Sequence, residues 1–248
     1  MFHLVAYGSN IPAGTDFRYI TPVPDPMIRI EGNNIIVPEG LNNVVGICAF
    51  GENMEAARLE TPSLRRLMLW EINPVGIWGT NAHDDFVMMR LENPIVLDPS
   101  EPMRALAWHS GATSTRMNVL VWLADGPITP VTEDYFEALA VCSSVTGNGT
   151  WENATITFDQ VLPAGRYAVI GARLEHSGSI AFRLSFVGQS WRPGAVTDSG
   201  RGTTNGLKFR AGKWGVWGEF PHDQPPTVDI ITTNPGQAIL ILDLVKIG

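Results

Sequence analysis

"VPEGLNNVVGICAFGENMEAARLE" (residues 37–60) lies 125 positions before "LPAGRYAVIGARLEHSGSIAFRLS" (residues 162–185), and the two align without a gap. Pro38, Gly40, Gly46, Ala56, Arg58 and Leu59 fall on Pro163, Gly165, Gly171, Ala181, Arg183 and Leu184. A second pair follows in the same order. "GIWGTNAHDD" (residues 76–85) and "GVWGEFPHDQ" (residues 215–224) are 139 positions apart, so the second copy carries 14 extra residues between its blocks. Two ordered matches predict an internal duplication, and a repeat of this length decides the fold before any single element does.

The halves also end alike. "MNVLVWLADG" (residues 117–126) and "QAILILDLVKIG" (residues 237–248) are nearly continuous apolar runs of strand length. Such runs suit strands buried on both faces. "FHLVAYGS" and "EALAVCSS" match in pattern as the beginnings of the copies. Copy one is then 1–127 and copy two 128–248, joined by the short, proline-bearing "ADGPITPVTED".

Within the copies the hydrophobic period is mostly two. In "AFRLSF" Phe182, Leu184 and Phe186 face one way and Arg183 and Ser185 the other. "MIRI" and "TITF" read likewise, and "PEG" and "PAG" mark turns that launch strands. Two short helices are predicted, "TEDYFEALA" with Thr132 as N-cap and "NMEAARLE". The second conflicts with its matched segment "GSIAFRLS", which reads as strand. Short strands with frequent turn signals, 25 glycines and 18 prolines predict an all-β chain of two tandem jelly-roll-type β-sandwiches. The excess length of copy two is assigned to a long surface loop over 187–206.

Composition narrows the function classes. Apolar residues are 44% and charged residues 17%, which excludes disorder and coiled coil. Net charge is −8, with lysine only at Lys208, Lys213 and Lys246 and no basic arm, so no direct nucleic-acid binding is expected. Cys48 and Cys142 sit in apolar stretches and read as small buried hydrophobes. Neither a signal peptide nor an apolar run near the roughly 18 residues of a membrane span is legible. The expectation is a soluble chain made in a reducing compartment, in which the sequons at Asn148 and Asn153 are accidental.

The repeated Gly-Ile/Val-Trp-Gly-x3-His-Asp motif admits two readings. One is a metal or catalytic site at His83 with Asp84 or Asp85 and at His222 with Asp223. A metal needs three or four converging ligands, and the other histidines, His3, His109 and His176, have no counterparts between copies. The other reading, which we adopt, is a duplicated structural corner: Gly76, Trp78, Gly79, His83 and Asp84, repeated as Gly215, Trp217, Gly218, His222 and Asp223. Tryptophan fills core volume, glycine permits close backbone approach, and His-Asp opens a turn. No nucleophile elbow, phosphate loop or HExxH occurs, and no cofactor or metal is expected. Two alternatives stay open: a carbohydrate-binding or adhesive module using some of the eight tryptophans, and a two-domain cupin-like metal enzyme. The latter lacks the His-x-His of that family.

With its paired "VPEG…ARL" and "LPAG…FRL" blocks, its paired corner motifs and its long loop, the chain resembles the double jelly-roll major capsid proteins of icosahedral DNA viruses. The resemblance implies a non-enzymatic subunit of the virion that forms a homotrimer, a pseudo-hexagonal capsomer tiling a shell. Arg192, Pro193, Gly194 and Arg201 would belong to an outward loop. Partners would be neighbouring capsomers, and the lack of a basic arm would suit other capsid proteins or an internal membrane rather than bare genome. Synthesis would be in the host cytoplasm.

Overall fold

The computed structural model describes residues 1–67, 71–72, 88–198 and 205–248. The chain divides into two compact units, Val5–Pro127 and Met1–Leu4 with Ile128–Gly248. The first half carries β1 (Phe2–Ile11), β2 (Arg18–Ile20), β3 (Ile30–Glu31), β4 (Asn34–Ile36), β5 (Asn43–Gly51) and β6 (Met54–Glu60). Helix α1 (Pro62–Leu67) follows, then β7 (Glu71–Ile72), β8 (Met88–Met89), β9 (Ile95–Val96), β10 (Pro102–His109) and β11 (Thr115–Ala124). The second half carries β12 (Phe136–Cys142), β13 (Trp151–Ala154), β14 (Ile156–Phe158), β15 (Arg166–Glu175) and β16 (Ser179–Ser185). It continues with β17 (Gly194–Val196), a 3-10 turn (Asn205–Phe209), β18 (Gly218–Pro221), β19 (Thr227–Thr232) and β20 (Ile239–Lys246).

Strand order makes each half a jelly roll. One sheet of the first runs β1-β11-β5-β8 and the other β4-β10-β6-β7, with β2, β3 and β9 as additions. The second half repeats this as β12-β20-β15-β18 and β13-β19-β16-β17, with β14 added at an edge. In both, the first strand pairs with the last, so the sandwich forms only through contacts distant in sequence.

The matched residues mark the places where regular strand geometry breaks. Gly40 and Gly165 both have positive φ, 78° and 146°, where an L side chain is strained. In the hairpin joining β5 to β6, Asn53 is left-handed at 55°, and its counterpart 125 residues on, Gly178, is left-handed at 76°. Asparagine and glycine are the residues that tolerate that region best. Pairing of β11 with β5 skips Val45 beside Gly46, and pairing of β20 with β15 skips Ile170 beside Gly171. Likewise Glu55 is skipped between β10 and β6, and Ile180 between β19 and β16. Each bulge sits at the same place in both copies, where one extra residue bends the strand to close the sandwich. The duplication is therefore legible in backbone irregularities as well as in strand order.

Neither predicted helix forms: "NMEAARLE" supplies β6 and the "FEALA" end of "TEDYFEALA" supplies the start of β12, for the same reason. In β6 Ala57 and Leu59 are buried while Ala56 and Arg58 are half-buried, a period of two, and the strand is paired on both sides by β10 and β7. In β12 Ala138, Ala140 and Cys142 are buried between exposed Leu139 and Val141. Alanine-rich segments with good helix propensity are held extended by neighbouring strands, tertiary pairing overriding a weak local preference. "MIRI" is mostly a turn: Asp25 Oδ1 accepts the Met27 N–H at 2.9 Å, and only Ile30 joins a strand. "TITF" does supply β14.

The second unit contains a buried charge cluster. Arg183, wholly buried on β16, donates from Nε to Asp229 Oδ2 at 3.0 Å and lies 4.2 Å over the Trp151 ring. Arg192 Nη1 reaches the same oxygen at 2.5 Å, and Asn153 Nδ2 donates to the other at 2.9 Å. The matched Arg58 also stacks on an aromatic ring, 4.2 Å over Phe17, but keeps 28% of its side chain exposed. Replacing one partner of a buried pair strands the other charge, at about 3–5 kcal/mol. Asp229→Ala is accordingly expected to lower unfolding stability by that order in a denaturant titration, far more than Glu219→Ala at the exposed Arg166–Glu219 pair.

Candidate assembly surface

The second copy of the repeated motif is placed as follows. Gly215 has φ 68° and approaches the Thr129 carbonyl, where an added Cβ would stand 2.9 Å away. Trp217 is buried, its amide donating to Val169 O at 2.8 Å and its ring packed on Phe182 and Phe2. Gly218 opens β18 against the Phe186 ring, which a Cβ would meet at 2.6 Å. His222 and Asp223 lie exposed in the turn after β18, the His222 amide donating to Gly165 O. The first copy, Gly76, Trp78, Gly79, His83 and Asp84, lies outside the described residues, as does Arg201. Among the described residues no three His, Cys, Asp or Glu side chains stand close enough to hold a metal ion.

The stretch read as an outward loop turns inward at its start. Arg192 reaches Asp229, Pro193 is buried, and Gly194 begins β17, paired opposite Arg183. A side chain at position 194 would strike the Phe182 carbonyl. The strand partner of Arg58 is Glu71, five positions before Gly76, whereas that of Arg183 is Gly194, twenty-one before Gly215. The added length thus falls after β17. Sequence alignment placed it too early because β7 and β17 share no residue type that would register them.

Part of that added segment lies over the outer face of the β12-β20-β15 sheet. Arg210 donates from Nε to Asp243 Oδ2 at 2.7 Å and from Nη2 to Glu137 Oε1 at 2.6 Å, while the Ala211 amide donates to Asp243 at 2.7 Å. Burial pulls the Arg210 pKa down, but the Asp243 and Glu137 carboxylates more than reverse this and raise it. Gly171 leaves space for this chain, since a Cβ there would stand 2.9 Å from Arg210 Cα. This cover reaches Asp243 and Glu137 and leaves the adjoining rows bare.

Leu139 faces Ile241 and Val141 faces Ile239 across the β12–β20 ladder. Leu139 is 43% exposed, Val141 38% and Ile239 47%, with Ile241 half-buried. Beside them a groove of about 440 Å3 is lined by Phe136, Phe158, Val161, Leu162 and Tyr167, with Glu137, Asp159 and Lys246 at its polar rim. Val161 is almost fully exposed. The equivalent strand of the first unit differs: every residue of β11 from Met117 to Ala124, on both faces, is fully buried. Contiguous apolar exposure on one sheet face is the mark of an interaction surface.

The opposite sheets show the reverse pattern. In the second unit β16 and β19 are buried on both faces, Arg183 and Asp229 included. In the first unit the outer face of β6 and β10 is half-buried at Arg58, Arg104 and Trp108, and Tyr19 of the paired β2 is 47% exposed. Glu60 accepts from Arg104 Nε at 2.8 Å and lies 3.1 Å from Arg65 Nη2. Burial works to raise the Glu60 pKa, and the two arginines outweigh it, holding the carboxyl below its ordinary value.

Other predicted features have structural places. Trp122, Trp214 and Trp217 are buried, Trp151 lies under Arg183, and Trp108 and Trp191 are half-buried, so no described tryptophan stands out as a free sugar platform. Both cysteines are buried, and burial pushes the Cys142 thiol pKa up to about 12. Asn153 spends its amide on Thr227 and Asp229. No helix among the described residues is long and apolar enough to cross a membrane.

No protein-family model matches the chain, and no curated protein matches it. Among solved structures it is similar to the major capsid protein P2 of bacteriophage PM2, at 13% identity and a TM-score of 0.28, over 97% of this chain and 98% of that one.

His176 provides a pH test of the second unit. Burial lowers its pKa below the ordinary 6.5, a backbone hydrogen bond at Ser177 offsetting part of the shift. The unfolded chain then binds the proton more readily than the native one, so stability falls as pH drops below about 6.5 toward the folded value. The melting temperature of the protein is expected to decline over that window, and His176→Gln is expected to flatten the decline.

Proposed function

We propose that the chain is a non-enzymatic structural subunit, the major capsid protein of an icosahedral DNA virus, which trimerises into pseudo-hexagonal capsomers that tile a shell. The observation that carries this reading is the presence in one chain of two jelly rolls with the same order of their eight common strands. Three such chains supply six equivalent sandwiches, enough to approximate sixfold packing from a threefold assembly. The working residues on this reading include Leu139, Val141 and Ile239 of the bare β12–β20 face, because shell building is surface burial between copies. Its place is the virion, with other capsid proteins or an internal membrane as further neighbours.

Native mass and negative-stain microscopy across a concentration series test the reading. A discrete trimer of about 80 kDa, from chains of 27.1 kDa, that goes on to sheets or shells is the expected result. A monomer at every concentration would rule it out.

A further inference from the structure

Several connections of the second unit meet at one end of its sandwich, and His176 stands where they meet. It lies in the hairpin joining β15 to β16, and its amide donates to Asp198 O at 3.3 Å, just past β17. Its ring is buried against the turn between β19 and β20. Nδ1 lies 3.3 Å from Thr232 Oγ1, and Nε2 faces Gly236, where an added Cβ would stand 3.1 Å away. The same turn holds the other loops. The Thr233 amide donates to Gly178 O at 3.0 Å, and Asn234 Nδ2 donates to Ser177 Oγ at 3.4 Å. The Gly149 amide donates to Thr232 O at 2.9 Å, and Val145 and Gly236 exchange both backbone bonds, at 2.9 and 3.1 Å. The duplication shows that the fold does not require a titrating side chain here. The residue 125 positions before His176 is Gly51, and the space beside it is filled by its strand partner Met117, whose sulfur an added Cβ would meet at 2.5 Å. In the second copy the register Ile239↔Glu175, carried one step on, puts Ala238 opposite His176. A small residue still faces a large one, but the large one has crossed the ladder and changed from thioether to imidazole.

We propose that His176 is an acid-sensitive latch, whose protonation releases the loops at this end of the second unit while the strands beneath them stay closed. The latch goes beyond the capsid reading and does not depend on it, being a property of the single chain. A buried imidazolium needs a carboxylate or water as partner. Residues 176–178 and 232–236 carry no other ionisable side chain. Carboxylates on the neighbouring elements are engaged elsewhere. Asp198 accepts from Arg173 Nε and the Gly206 amide, Glu152 from the amides of Thr146, Gly147 and Asn148, and Asp229 from Arg183 and Arg192. Glu175 stands exposed at the end of β15. Among the described residues Nε2 makes no protein hydrogen bond. Burial accordingly disfavours the cation, in keeping with the lowered pKa. A charged ring regains hydration only by leaving its place between Thr232 and Gly236, and the bonds that tie Gly178, Ser177, Gly149 and Val145 to that turn lose their support. Loops held by a few bonds open at lower cost than paired central strands.

Hydrogen exchange read by mass spectrometry on the full chain, corrected for the intrinsic pH dependence of exchange, tests the latch between about pH 7.5 and about pH 5. The open state binds the proton more readily than the closed one, so acid favours opening. Protection of residues 143–150, 176–178 and 233–236 is expected to fall by up to about tenfold per unit of pH below about 6.5, levelling off once the lower folded pKa is passed. Amides of the β15–β20 and β16–β19 ladders are expected to keep theirs. His176→Gln, polar but uncharged, is expected to abolish the pH response of the loops. A second variant copies the first unit, His176→Gly with Ala238→Met, and is expected to abolish it as well. The readout is the dependence on pH, so a variant whose loops are looser at every pH still reports. Loss of protection spread evenly over the strands of both units would overturn the latch in favour of global unfolding. A loop response as large as the parent's in either variant would also overturn it, because the proton would then act elsewhere, as at His3 or His109. Neither result bears on the capsid reading, which native mass tests separately.

Discussion

A sheet whose central strands are apolar on both faces has to be covered on both, and that requirement governs this protein. β11 and β20 are the last strands of their jelly rolls, and each pairs with the first strand and with the third of the eight common to both units. Their sequences, "TRMNVLVWLA" and "ILILDLVK", leave little polar surface to turn outward. β11 meets the requirement fully. β20 meets it in part, because Asp243 replaces an apolar residue and draws Arg210 and its flanking chain over that end of the sheet. What remains uncovered around Ile239 is the chemical consequence, an apolar face whose burial would be favourable by the ordinary hydrophobic effect.

The two copies have kept different things. Positions that set backbone shape persist: the glycines with positive φ in the "PEG" and "PAG" turns, the left-handed hairpin residue, and the bulges at Val45 and Ile170. Loss of either bulge would slip every later side chain of its strand to the opposite face, so these positions tolerate little change. The outer faces have diverged. Arg58 and Arg183 stack on aromatic rings at the same 4.2 Å, yet one is partly open and the other is locked to Asp229 beneath Arg192. One inherited side chain serves a surface in one copy and a core ion cluster in the other.

Legibility in the sequence followed from how local each feature is. The duplication, its offset of 125, the two apolar final strands and the all-β architecture were readable because turns and bulges need particular residues at particular places. The short alternating segments were not. "TEDYFEALA" and "NMEAARLE" carry good helix formers, and only their pairing with β20 and β10 holds them extended. The inward turn of Arg192–Gly194 was hidden for a related reason. Glycine and proline read as loop, whereas here Gly194 permits β17 to pass against the Phe182 carbonyl.

The candidate surface was the least legible part. Leu139, Val141, Ile239 and Ile241 look in sequence like any other strand hydrophobes, and nothing local distinguishes them from their buried neighbours Ala138, Ala140, Leu240 and Leu242. By itself the sequence determined that there are two copies of one β-fold and where their strands must bend, because those features depend on residue type and spacing. Which of the duplicated faces lies covered and which lies open was decided only by tertiary structure, since exposure depends on what chain from elsewhere, such as Arg210 over Asp243, comes to rest on a strand.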